Sequence, residues 1–125
     1  MIKLFLLLGS ILGGLSVAGG AFASHALQER LSERSLEIFD LAARYQMYHA
    51  LALLLVGILL SQSEIASPFF TASGIAFIIG VLLFSGSLYA LSLSGIKILG
   101  AITPLGGVAF IAGWICLAIG VWGVK

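Results

Sequence analysis

The sequence predicts an all-α integral membrane protein, a bundle of four transmembrane helices with an amphipathic charged segment between the first two. Three observations carry this. Of 125 residues, 61% are hydrophobic and only 9% are charged, against about 25% charged in soluble domains. The mean hydropathy is +1.20, and a body this small lacks the interior to hide so much apolar surface from water. The charges also cluster, leaving Leu4–Ala23, Tyr45–Ser63, Ile65–Ile96 and Ile98–Val124 without any. A helix needs roughly 20 apolar residues to cross about 30 Å of hydrocarbon, and these gaps lack the two-residue alternation of a membrane barrel. The length suits one domain, residues 1–125.

The first helix is predicted over about residues 4–23. It carries Gly9, Gly13, Ser16, Gly20 and Ser24 on one stripe, the spacing that lets helices approach closely in lipid. Lys3, the apolar stretch and Ala21-Phe22-Ala23 also resemble a secretory signal with a small-x-small cleavage site. The length of the stretch and its glycine spacing favour a retained helix.

A cap at Ser32 starts the second helix, 33–62. At 1.5 Å per residue it is roughly 45 Å long, more than the hydrocarbon core. Its first third, Glu33 to Arg44, must stand out of the bilayer, lie along its surface, or line a polar recess. Asp40 and Arg44 form an i,i+4 pair there, and Arg30–Glu33 and Arg34–Glu37 are spaced as i,i+3 pairs. Leu31, Ser35, Ile38 and Ala42, with Phe39 nearby, supply a partly apolar side. An amphipathic segment at the bilayer surface explains this pattern, and a docking surface for a partner would look the same.

The third helix, 68–93, opens on Ser67-Pro68, an N-cap followed by proline at the first helical position. It is expected to stop near Ser94-Gly95, with Ala76, Gly80, Ser87, Ala90 and Ser94 as a small-residue stripe interrupted by Leu83. Residues 94–103 are a predicted loop holding Lys97. Thr103-Pro104 repeats the start signal for a fourth helix, 104–124. In that helix Gly106, Ala109, Gly113, Cys116, Gly120 and Gly123 alternate steps of three and four, a seam of small side chains. Cys116 reads as an inert member of that seam. Trp122 reads as an interfacial anchor and Trp114 as packed at mid-helix.

Several function classes fall away. Six basic against five acidic residues leave a net charge of +1 and no footprint for nucleic acid. One cysteine excludes a disulfide within the chain. The sequence holds no HExxH, CxxC, GxSxG or glycine-rich nucleotide loop. No enzyme, metal or cofactor is expected. With four spans, Arg30, Arg34, Arg44 and Lys97 share one side and Lys3 and Lys125 the other. The positive-inside rule then places both termini outside the cytoplasm.

The polar candidates are His25, Arg44, Tyr45, Gln46, Tyr48 and His49. An ionisable group inside a membrane is a functional candidate by default. Equally, Tyr45 and Tyr48 suit an interfacial belt, Arg44 can snorkel, and a neutral His49 can fasten the bundle. Both readings stay open. The favoured expectation is a non-enzymatic accessory or scaffold subunit that binds membrane lipids, a membrane-protein partner or a second copy. One alternative is a small solute or proton-linked transporter using the cluster at Arg44–His49, which needs a water-filled recess reaching His49. A second is a haem site using His25 and His49.

Gly20-Ala21-Phe22-Ala23-Ser24-His25-Ala26-Leu27, Tyr45-Gln46-Met47-Tyr48-His49-Ala50-Leu51-Ala52-Leu53, and Thr103-Pro104-Leu105-Gly106-Gly107 with Gly113-Trp114 together resemble a known family. It is the YgdD-like small membrane proteins, bacterial relatives of transmembrane protein 256 (domain of unknown function 423). The resemblance covers nearly the whole chain and implies four helices in a bacterial inner membrane, with the first helix kept. Ala23-Ser24 departs from the Gly-Ala expected before the first histidine, which loosens the close approach there. The family carries no established activity. The resemblance implies that His25, Tyr45, Gln46 and His49 belong to one spatial cluster.

Overall fold

The computed structural model describes residues 1–62 and 67–124. Among them are four helical runs long and apolar enough to cross a membrane: α1 (Ile2–Leu27), α2 (Glu33–Gln62), α3 (Pro68–Ser94) and a last run, Lys97–Trp122. That run opens as a 3-10 turn, Lys97–Ala101, where a loop was expected, and continues as α4 (Thr103–Trp122). Two of the predicted boundary devices are present as read. The Ser32 hydroxyl accepts from the Ser35 N–H at 3.1 Å, and the Ser67 hydroxyl from the Phe69 N–H at 3.3 Å. Gly95 ends α3 with φ of 72°, a left-handed conformation that only glycine adopts freely.

Two boundaries differ from the sequence reading. α1 does not stop at Ala23. It widens into a π-helical turn, Ala18–Ala23, and resumes as α-helix over Ser24–Leu27, so His25 sits on the helix. Thr103 is not a cap: α4 has no side-chain cap bond, and the Thr103 hydroxyl lies 2.6 Å from that of Ser87. Ser87 donates to the Phe84 carbonyl at 3.0 Å, which leaves Thr103 as the donor to Ser87 and ties α4 to α3.

Packing follows two different rules. α1 lies antiparallel on α2 through small residues, as the stripe predicts. A Cβ on Gly9 would meet Leu54 and the Ala50 carbonyl, one on Gly57 would meet Leu6, and one on Gly20 would meet Ala43. α1 is otherwise bare, with 17% of its most apolar stretch buried against 50% for that of α2.

α3 and α4 instead pair large against small. Phe70, Phe77 and Phe84, seven residues apart on α3, lie against Gly120, Gly113 and Gly106, seven apart on α4. In the same antiparallel register Phe110 of α4 lies against Gly80 of α3. The α4 seam is therefore real at its three central glycines, whereas Ala109 and Cys116 are half-buried and Gly123 is exposed. The predicted α3 stripe is corrected: Gly80 and Ser87 are buried, but Ala90 and Ser94 face outward, because α3 presents its phenylalanines to the glycines of α4.

Roughly 20 residues span the hydrocarbon. Counted from Lys3, Gln62, Pro68 and Trp122, that length brings the far boundary to Ala23, Ala43, Ser87 and Thr103. The Gly20–Ala43 contact and the Ser87–Thr103 bond lie at this level. Beyond it the start of α2 projects as part of one continuous helix, by about 15 Å at 1.5 Å per residue. Its ion pairs are Arg34–Glu37, at 3.5 Å, and Arg44–Asp40. Arg30 lies in the turn before the helix, so the i,i+3 spacing to Glu33 has no helix to act on, and among the described residues it forms no ion pair. Lys125, counted above for topology, lies outside the described residues.

Candidate functional site

The predicted polar residues do not form one site. They divide among a surface recess, a bridge joining three helices, and a histidine held inside an aromatic cluster.

His25 belongs to the recess. The last turns of α1 and the projecting start of α2 enclose about 500 Å³ there, lined by Ser24, His25, Gln28, Glu33, Glu37 and Asp40 among others. The recess goes no deeper along α2 than Asp40, and His49 is two and a half turns further on. Three carboxylates and a histidine look like a ligand set, but Glu37 and Asp40 face arginines. No group of three metal-binding side chains converges among the described residues. Arg44 and Tyr48 are exposed, Arg44 held by Asp40 and Tyr48 tilted against Tyr45 at 5.5 Å between ring centres. Both suit the bilayer boundary counted above.

Gln46 is the bridge. Its amide N–H donates to the Leu12 carbonyl of α1 at 2.8 Å, and its Oε1 accepts from the Tyr89 hydroxyl of α3 at 2.8 Å. One buried side chain of α2 thus fastens both neighbours. Tyr89 was missed by the sequence reading. A lone tyrosine among Leu88, Ala90 and Leu91 carries no periodic signal, and only the packing of α3 on α2 brings it to Gln46. Phe39 supports it edge-on, with ring centres 4.9 Å apart. Gly19 lies beside both of them: a Cβ there would stand 3.6 Å from the Tyr89 hydroxyl.

His49 is 5% exposed, and its two ring nitrogens have opposite duties. Nδ1 lies 2.7 Å from the Tyr45 carbonyl, which can only accept, so Nδ1 carries a proton. Nε2 lies 3.1 Å from the Trp114 indole nitrogen, which can only donate, so Nε2 carries a lone pair. The imidazole is neutral in a single tautomer, with neither nitrogen left for iron. Its ring stacks on Phe110 with centres 3.5 Å apart and planes 7° apart, and Phe77 closes one side at 5.4 Å. Tyr45 continues the stack onto Phe84 at 4.7 Å. Trp114 is therefore not merely packed; its indole N–H is the interhelical donor.

Serines complete the cross-links. Ser85 donates to the Ala42 carbonyl and Ser73 to the Gly113 carbonyl, each at 2.8 Å. Among the described residues no buried side-chain nitrogen or oxygen lacks a partner.

Behind the Gln46–Tyr89 bond a second depression of about 400 Å³ runs between α1 and α3, with α2 as its floor. Its lining is apolar apart from Gln46, Ser85 and Tyr89. Both π-helical segments border it: Gly19 belongs to Ala18–Ala23, and Val81, Leu82 and Ser85 to Val81–Ser85.

Comparison with known proteins gives consistent matches. The family model described as "Protein of unknown function (DUF423)" matches residues 19–107. The UPF0382 membrane protein of Staphylococcus haemolyticus is 44% identical over 117 residues, covering 94% of this chain and 93% of its own. The UPF0382 membrane protein YwdK of Bacillus subtilis is 46% identical over 118 residues, covering 94% of each chain. No solved structure matches.

Proposed function

The chain belongs to the DUF423 family of uncharacterised membrane proteins, and on that footing we propose that it is a non-catalytic subunit that works through its outer faces. It binds lipid or another membrane protein there, rather than performing chemistry or conduction within the bundle. The observation that carries this reading is the state of the interior polar groups. Gln46, His49, Ser73, Ser85, Ser87 and Tyr89 are engaged with carbonyls or side chains of other helices or of their own, as structural cross-links in lipid are. The recess at His25 goes no deeper along α2 than Asp40 and His49 is buried, which counts against the transporter alternative. The haem alternative lacks a free histidine nitrogen at His49.

The reading includes a bacterial plasma (inner) membrane location with both termini on the non-cytoplasmic side. It is supported by Arg30, Arg34, Arg44 and Lys97 at one end of the bundle, with Lys3 at the other. Reporter fusions to each terminus test the orientation. The functional reading is tested by reconstitution in sealed liposomes with internal pH and ion indicators. The expected result is no flux above protein-free vesicles, and the same trace for His49→Ala. A solute or proton flux abolished by His49→Ala overturns it.

A further inference from the structure

We propose that the depression between α1 and α3 is a lipid site that takes one acyl chain of a phospholipid, with the chain's ester carbonyl accepting a hydrogen bond from Gln46. The inference deepens the reading above by assigning a ligand class to one outer face.

Four observations select this occupant. The first is depth. The backbones of Gln46 and Tyr89 lie within three residues of Ala43 and Ser87, the level counted as the edge of the hydrocarbon, and the Gln46 amide reaches inward from there to the Leu12 carbonyl. On the inner side of that edge the slot is walled by Leu15 and Leu12 of α1 and Leu82 and Val81 of α3. No charged residue lines it.

The second is width. Val81 to Leu93 covers roughly 18 Å of α3 at 1.5 Å per residue. Spread over that length, about 400 Å³ gives a mean section of roughly 20 Å², whereas a helix ~10 Å across needs roughly 80 Å². The slot is narrow along its length, in keeping with a single chain.

The third is spare hydrogen-bonding capacity. A glutamine amide has two N–H donors, and Gln46 gives one to Leu12. Among the described residues the other has no protein partner, and Gln46 is one of the residues that line the slot. A donor in that place asks for an acceptor oxygen, which an ester carbonyl supplies and an unsubstituted hydrocarbon does not.

The fourth is the walls. The helical surface is cut back at Gly86, where a Cβ would meet nothing nearer than 4.0 Å, and both walls depart from α-helix at this level, through Ala18–Ala23 and Val81–Ser85. Such π segments collect at functional sites.

The test is native mass spectrometry of the full chain ejected from nanodiscs of palmitoyl-oleoyl phosphatidylglycerol, and separately of its di-ether analogue, under rising collision energy. The expected result is one ester lipid retained per chain after annular lipid has been stripped, with retention about threefold lower for the ether analogue, the worth of one hydrogen bond in a membrane. Gly86→Leu should lower retention of the ester lipid at least tenfold, because a Cβ at Gly86 comes no nearer than 4.0 Å to the protein and the leucine fills the slot. Circular dichroism reports whether that variant folds. Leu15→Trp, which fills the slot from the opposite wall, replaces it if it does not. Equal retention by wild type and the filled variant, equal retention of ester and ether lipid, or no retained lipid each overturns the proposal. None of these results bears on flux through the bundle, so the site and the non-conducting reading fail separately.

Discussion

The α3–α4 interface and the α1–α3 slot are built from the same residue types, glycine opposed to a large side chain, with opposite results. Between α3 and α4 the notches at Gly113 and Gly120 are filled by the rings of Phe77 and Phe70, and Gly106 lies directly against the Phe84 backbone. Across the slot, a Cβ at Gly86 would meet only the Val81 carbonyl, at 4.0 Å, and one at Gly19 would touch Tyr89 and Phe39 at 3.6 and 3.7 Å without overlapping them. The difference lies in backbone separation. The antiparallel register of α3 on α4 closes every notch. α1 is held to α2 by its small-residue stripe and reaches α3 chiefly through the Phe5–Gly74 contact near its start and the Gln46 bridge further along. In lipid, where burial from water gives little, filled notches supply the dispersion contacts that hold helices together. Unfilled ones are available to something else.

The largest effect should come from breaking the filled region where nothing can yield. A Cβ at Gly106 falls 2.3 Å from the Phe84 backbone nitrogen and 2.7 Å from its Cα. Gly106→Leu must therefore push the two helices apart, and should cost about 3 kcal/mol, the upper end for overpacking, seen as loss of the folded fraction in denaturant titration in bicelles. A smaller loss would mean that α3 and α4 slide freely and that the Phe–Gly register is not what fixes them. Phe77→Ala tests the same ladder by emptying a notch. It removes the ring lying against Gly113 and beside His49, and about 2–4 kcal/mol should go with it.

The Gln46 bridge sets how far α1 stands from α3. Gln46→Leu removes both interhelical bonds, each worth about 0.6 kcal/mol and at most about 1.7 in membranes, so about 1–2 kcal/mol is expected. The loss should be local: disulfide trapping between cysteines placed on α1 and α3 should broaden, while trapping between α3 and α4 stays as in wild type. Equal broadening at both interfaces would show that the two regions are one cooperative unit, and the comparison would fail. His49→Leu should cost less, about 1 kcal/mol. In a Trp122→Phe background its signature is a change in Trp114 emission as the indole N–H loses its acceptor.

How much of this was legible beforehand depends on whether a feature is local or needs a neighbour. The spans follow from charge gaps that any single helix must respect in lipid. The starts at Ser32 and Ser67 and the stop at Gly95 are made within one turn of chain, so their residues announce them. The α1 stripe was legible because a small residue is needed wherever another backbone approaches. The Phe70–Phe77–Phe84 repeat stood in the sequence too, but its meaning depends on an antiparallel register with α4, which one helix does not encode. Thr103 was misread for the same reason: before proline it has the chemistry of a cap, and only Ser87 on α3 diverts its hydroxyl. The π segments, Tyr89, and the separation of His25 from His49 all arise from where helices meet. His25 and His49 flank the first connection in sequence, which suggests proximity. Antiparallel pairing of α1 on α2 instead sets His25 beside the first turns of α2, well short of His49.

The smallest expected effect is the most informative about the open side. A Cβ at Gly14 meets nothing within 4 Å, and its neighbours Ile11, Leu15 and Val17 are exposed on α1. Gly14→Leu in the isolated chain should therefore leave stability unchanged or raise it by up to about 0.8 kcal/mol, because glycine's weak helix preference is the main term in play. The same leucine at Gly9 would strike Leu54 and the Ala50 carbonyl, and should destabilise α1–α2 packing by about 1–3 kcal/mol. The pair places one substitution on two faces of one helix, so helix propensity cancels and packing alone remains. Should Gly14→Leu destabilise as much as Gly9→Leu, the outer face of α1 is covered under the conditions of measurement. The division of the molecule into a filled half and an open half would then hold only for the single chain.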